Sequence, residues 1–214
     1  MPKLCYIERV SETPKPIRYR EFTPRAPEGS VDLEQFLPGT GPIEIDIGFG
    51  RGHSIFERAK LAPESRILGV EIKAKWAYKV DERRKRLGLD QVRIVSEDIR
   101  ELLPRCGPRA SVTRAFVHFP DPWWKKRHQD RFVVGEPFLD ALADLLFAGG
   151  ELFVQTDVED RAIRYRDLIA AHSEFQLEGE DGFIDENPYG ARSNREVRAE
   201  EDGLPIYRIL ARRR

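Results

Sequence analysis

Hydrophobic residues fall in short bursts along this 214-residue chain, and the polar stretches between them carry apolar positions three or four residues apart. The bursts at 43–47, 67–70, 92–95, 115–119 and 151–155 have strand length, and 206–210 adds a last one. Between them, 53–61, 74–87, 136–147 and 158–171 space their apolar residues along one helix face, and Asp98 introduces a shorter helix through Leu103. Gly88 stops the second of these helices, and Gly149-Gly150 closes the one that starts at Glu136. Strands alternating with helices predict an α/β fold with a mainly parallel sheet.

Residues 1–40 lack this rhythm. Pro2, Pro14, Pro16, Pro24, Pro27 and Pro38 interrupt them, which predicts a partly flexible N-terminal arm. Within it, Val31, Leu33, Phe36 and Leu37 are spaced for a short helix that docks on the domain. Residues 41–214 then form a single domain. Its polar stretch 178–203, acidic first and then rich in Asn and Arg, is an insertion before the last strand.

A content of 40% hydrophobic and 34% charged residues describes a soluble globular protein, and no apolar run has bilayer-spanning length. The opening Met1 to Arg9 has no signal-peptide core, so a cytoplasmic protein without a membrane partner is expected. Cys5 and Cys106 stand far apart and read as reduced thiols, and His53, His118, His128 and His172 are too dispersed for a metal site. With a net charge of −1, affinity for nucleic acid has to come from local patches. Three are visible: 73–86, 125–127 and 212–214. On the first, Lys75, Lys79 and Arg83 share a helix face that reads either as solvated or as phosphate-binding.

Candidate chemistry gathers where strands end. Gly48-x-Gly50-x-Gly52 follows the first strand, and missing Cβ atoms there let a ligand approach the backbone. His53 stands where a dinucleotide fingerprint requires Gly or Ala, and Asp46 places an acid beside the loop, which suits a cationic ligand. Glu71 ends the second strand, where such folds place the acid that takes a ribose diol. Asp98, after the third, is either an acceptor for an adenine amino group or a helix cap. Asp121, after the fourth, completes four carboxylates at consecutive strand ends. A ligand carrying an adenosine and a positive centre fits them, and S-adenosylmethionine is such a ligand.

The fourth strand runs into Phe119-Pro120-Asp121-Pro122-Trp123-Trp124-Lys125-Lys126-Arg127-His128. The prolines hold Asp121 extended, the tryptophans offer faces for stacking bases, and the cations offer charge to phosphates. The same residues also read as a Pro-rich turn with core tryptophans and a solvated basic loop.

On this stretch, the Ile47-Gly48-Phe49-Gly50-x-Gly52 loop and Thr156-Asp157, the chain resembles the tRNA (guanine-N7)-methyltransferase family over residues 43–210. The resemblance implies a Rossmann-like, doubly wound, mainly parallel seven-stranded sheet flanked by helices, of class I methyltransferase type. It implies S-adenosylmethionine as cofactor and tRNA as partner, with methyl transfer to N7 of a guanosine at position 46 of the variable loop. By the same resemblance Asp46, Gly48, Gly50, Glu71, Asp98 and Asp121 would hold the cofactor. Asp121, beside the methyl group, would be the catalytic carboxylate, and Lys125 and Asp157 would contact the RNA. The family's late motif, Thr-x-Phe/Tyr-Glu followed by a glycine and an aromatic, maps onto Ser193, Glu196, Gly203 and Tyr207. Ser193 and Glu196 would then touch substrate. Here serine replaces the threonine and Arg195 the aromatic, leaving a guanidinium plane for stacking.

Other classes stay open: a methyltransferase of this fold acting on a small molecule or a protein, a nicotinamide-dependent oxidoreductase, or a non-catalytic RNA-binding module. Monomer and homodimer are equally open.

Overall fold

The computed structural model describes residues 18–121 and 132–214. Seven strands form its main sheet: β1 (Ile43–Ile47), β2 (Arg66–Val70), β3 (Val92–Val95), β4 (Val112–His118), β5 (Leu146–Thr156), β6 (Phe175–Leu177) and β7 (Tyr207–Arg213). Their order is β3-β2-β1-β4-β5-β7-β6. The strands β1 to β5 run parallel, and β7 lies antiparallel between β5 and β6. Helices α1 (His53–Leu61), α2 (Ala74–Arg86), α3 (Ile99–Leu102), α4 (Glu136–Leu145), α5 (Glu159–Ala171) and α6 (Asn194–Glu201) flank it. This is the expected α/β architecture. From β1 the chain winds outward to β2 and β3, then returns to lay β4 on the other side of β1. Such a reversal opens a crevice at the carboxyl ends of the parallel strands.

Strand residues alternate between two cores. On one face Ile43, Ile45, Ile47, Val70 and Val117 pack with Phe138, Leu139 and Leu142 of α4 and with Tyr165 and Ile169 of α5. On the other, Ile67, Val92 and Ile94 pack with Ile55, Phe56 and Ala59 of α1 and with Ala77 and Val80 of α2.

Several elements differ from the pattern reading, among them β4, which starts at Val112, three residues before the burst at 115. The β6 strand has three residues, too few to show a period of two. Helix α4 ends at Leu145, not at Phe147, because Leu146 is already extended (φ −69°, ψ 136°), so β5 starts five residues early and passes through Gly149 at φ +84°. The last strand runs to Arg213. Residues 18–40 lie against the domain: Val31 and Asp32 pair with Cys106 and Gly107, and Leu33 and Leu37 are core residues. Asp32 caps the short helix Leu33–Phe36 by accepting from the amides of Glu34 and Gln35.

Candidate active site

A cleft of about 830 Å³ lies along the carboxyl edge of the parallel strands. Its walls are the loop after β1, Glu71 to Lys73 after β2, Asp98 and Ile99 after β3, Phe119 to Asp121 after β4, Asp157 after β5, and Ser193 to Arg195 from the insertion.

The β1 loop needs its glycines for two different reasons. Gly48 (φ +71°) and Gly50 (φ +55°) line the cleft, and a Cβ on either would meet no atom within 4 Å, so this backbone is bare toward open space. Gly52 (φ +74°) is instead pressed on α2: its Cβ would lie 2.8 Å from both γ-methyls of Val80. Gly52→Ala is therefore expected to lose about 1–3 kcal/mol of stability through overpacking and left-handed strain, read by urea unfolding. A neutral outcome would mean that α1 and α2 are free to separate at that contact.

Glu71 fastens this loop to the sheet. One carboxylate oxygen accepts from the Gly50 amide at 2.9 Å, the other from the Lys73 amide at 2.8 Å, and burial pushes the carboxyl pKa up against those bonds. Both oxygens keep a lone pair for a ligand. Asp98 is both cap and wall: it accepts from the Arg100 amide at 3.0 Å and pairs with the Arg100 guanidinium at 2.6 Å, which holds its pKa low. Ile72, 61% exposed, and Ile99 add apolar surface beside it, a contribution that sequence reasoning passed over.

Asp46 does not reach this cleft. Strand alternation turns it, with Glu44, onto the α1 face, where it borders a small separate cavity with Ser54, His118 and Tyr189. Its Oδ2 accepts from the Ser54 hydroxyl at 2.7 Å, and its Oδ1 is buried without a partner. Desolvation raises its pKa, opposed by nearby His118 and the Ser54 bond and reinforced by Glu44. A raised folded-state pKa means that the native protein holds this proton more tightly than the unfolded chain. The stability so conferred is full below the ordinary aspartate range and is lost as pH rises through the raised value. The stability of Asp46→Asn relative to the parent should accordingly grow across that window and then level off in unfolding curves at stepped pH. A relative gain for the parent over the same window would contradict this.

On the far side of the cleft, Asp121 is exposed and its carboxylate lies 3.5 Å from the Lys73 ammonium. Phe119 precedes it at φ +48°, its amide held by the Gln155 carbonyl at 2.8 Å. Asp157 is mostly buried and is forked by Arg195, Nε at 2.8 Å with Nη2 on the same oxygen. Ser193 caps α6 and forms a capping box with Glu196. Glu196 is fully buried behind the cleft wall. It accepts from Gln155 Nε2 (2.7 Å), Asn187 Nδ2 (3.2 Å) and Arg208 Nη2 (3.3 Å). His118, the fourth strand's last residue, bonds the same Gln155 nitrogen through Nδ1 at 2.8 Å and lines the cleft. Its isolation in sequence concealed this. Glu71, Asp98, Asp121, Asp157 and Ser193 thus share the cleft, Asp46 and Glu196 lie behind its walls, and Lys125 lies outside the described residues.

A protein-family profile described as "Putative methyltransferase" matches residues 40–209. A tRNA (guanine-N(7)-)-methyltransferase of Microcystis aeruginosa is 32% identical over 207 residues, covering 95% of this chain and 97% of that protein. One from a Synechococcus species is 36% identical over 173 residues, 81% of this chain and 73% of that protein. Among solved structures, the 16S rRNA methyltransferase KamB superposes with a TM-score of 0.61 at 15% identity, over 85% of this chain and 92% of that one, a likeness of fold.

Proposed function

The chain belongs to the tRNA (guanine-N(7)-)-methyltransferase family, and we propose that the guanine it methylates is the one at position 46 of the tRNA variable loop, held in the cleft beside Asp121. The family's methyl donor is S-adenosylmethionine, which supplies a methyl group on a positively charged sulfur. The cleft suits that molecule: bare backbone at Gly48 and Gly50, a buried carboxylate with spare lone pairs at Glu71 for the ribose diol, and Asp98 with Ile72 and Ile99 for the adenine. Asp46 supports the arrangement from behind, through its bond to Ser54 in the first turn of α1.

Guanine N7 carries an in-plane lone pair and no proton at neutral pH, so no side chain has to remove a proton before attack. The work left to the chain is placement, which can contribute on the order of 7–11 kcal/mol. Asp121 stands where the base must come. Its oxygens accept N–H donors of the base and offset the positive charge that alkylation leaves on the purine. Asp157 and its Arg195 partner form the opposite wall, and Lys125 adds charge for a phosphate. Position 46 is engaged in tertiary contacts in a folded tRNA, so the base leaves them to enter the cleft.

One observation carries this reading: Asp98, Glu71, Asp121 and Asp157 follow four different parallel strands and open on one cleft. The test is to react an unmodified tRNA transcript with the protein and S-adenosylmethionine, then cleave the chain chemically at 7-methylguanosine. Scission at position 46 alone is expected, and scission elsewhere would overturn the assignment. No helix of the described residues is long and apolar enough to cross a membrane. We place the reaction in the cytoplasm, with its tRNA substrate.

A further inference from the structure

Three cations converge on one aromatic ring at the mouth of the cleft. Trp76, in the first turn of α2, has the Arg51 guanidinium 5.2 Å from its ring centroid, the Lys75 ammonium at 5.6 Å and the Lys79 ammonium at 5.7 Å. Trp76 and Arg51 line the cleft, while Lys75 and Lys79 are exposed just outside it. Each cation is attracted by the indole quadrupole, so the ring gathers three charges that would otherwise repel one another.

The rest of the helix shows that this is more than a charged, solvated face. Toward its far end Arg84 pairs with Asp81 at 2.7 Å, and Lys85 pairs with Asp81 at 2.8 Å and with Glu82 at 3.0 Å. Arg83 lies over the buried ring of Phe56 at 4.2 Å. Among the described residues, by contrast, no carboxylate lies within 4.0 Å of Arg51, Lys75 or Lys79. Arg83 and Arg86 likewise have no carboxylate within 4.0 Å among those residues, but on this helix it is only at the cleft end that three such cations gather on one ring, in a molecule whose net charge is −1.

We infer that the Trp76 cluster is a second tRNA contact, gripping backbone phosphates of the strand that flanks the guanosine in the cleft. The inference rests on the tRNA reading above. Lysine and arginine offer only donors, which suits phosphate oxygens, and the indole adds a face on which a base or ribose can lie. An acidic protein segment would also meet the charge, but the cluster is continuous with the cleft that takes a nucleoside, and an incoming RNA strand must pass it.

The experiment compares the full chain with Lys75→Gln/Lys79→Gln in binding unmodified tRNA across a salt series, with S-adenosylhomocysteine affinity measured in parallel by calorimetry. Each lost phosphate contact lowers the slope of log affinity against log salt by about 0.7–0.9. The double variant should therefore be shallower by about 1.4–1.8, with a higher KM for tRNA and unchanged affinity for S-adenosylhomocysteine. Trp76→Leu, which keeps both lysines but frees them, should bind tRNA more weakly with a smaller change of slope. A double variant with the parent's slope overturns the inference, whatever else that face is found to bind. If the parent's own tRNA binding is insensitive to salt, the tRNA reading fails, and this one with it.

Discussion

Asp121→Ala is expected to slow methyl transfer to tRNA by about 10²- to 10³-fold in kcat, the range that loss of one preorganised electrostatic partner costs. The reason is position. Asp121 follows β4, next to the switch point of the sheet, and is held there by Phe119 at φ +48° and by Pro120. Its ion pair with Lys73 is 3.5 Å long between side chains 59% and 57% exposed, so it adds at most about 0–1 kcal/mol to stability. The variant should consequently unfold like the parent, and lost activity cannot be ascribed to lost structure. Asp121→Asn keeps the acceptor oxygen and removes the charge, so it should fall between the two. Turnover of Asp121→Ala within a few-fold of the parent, measured with saturating tRNA, would remove Asp121 from the chemistry.

Glu196→Ala should cost about 3–5 kcal/mol of stability, the penalty for breaking a buried ion pair by deleting one partner. The carboxylate is 0% exposed and faces Arg208, whose side chain is 11% exposed. It also takes the side-chain amide nitrogens of Gln155 and Asn187 and the backbone amide of Ser193, so alanine would remove an acceptor from four donors at once. Because Gln155 holds His118 with one group and the Phe119 amide with another, the damage should spread to the strand end that carries Asp121. Urea unfolding measures the first effect and kcat at low temperature the second. A loss below about 1 kcal/mol would mean that Glu196 is no structural hub and is available to substrate.

The fold was legible wherever a strand ran long enough to show its period. The bursts at Ile43, Ile67, Val92 and Ala115 gave the parallel sheet, and the acids behind the last three gave three of the cleft's carboxylates: Glu71, Asp98 and Asp121. What stayed hidden was set by tertiary packing. Asp46 and Glu71 both sit at strand ends in sequence. Asp46, however, precedes the last residue of β1 and points with Glu44 to the α1 face, whereas Glu71 follows β2 and is free to turn into the cleft. Glu196 carried a readable local signal: Ser193 followed three residues later by glutamate is a capping box, which already pointed to helix-end structure. Its burial depended on β5 and β7 meeting beneath α6, which no local pattern encodes. Arg195, read as a stacking plane in place of an aromatic, is in addition forked on Asp157, a partner that its place in the motif does not show. Trp76 was invisible as a centre because its cations come from two elements, Arg51 from the β1 loop and Lys75 and Lys79 from α2.

The most direct test of the central claim is transfer of radiolabelled methyl from S-adenosylmethionine to two unmodified tRNA transcripts that differ only at position 46. Label is predicted on the transcript with guanosine there and not on the one with adenosine. Equal label on both would contradict the account by placing the methylated base elsewhere in the tRNA.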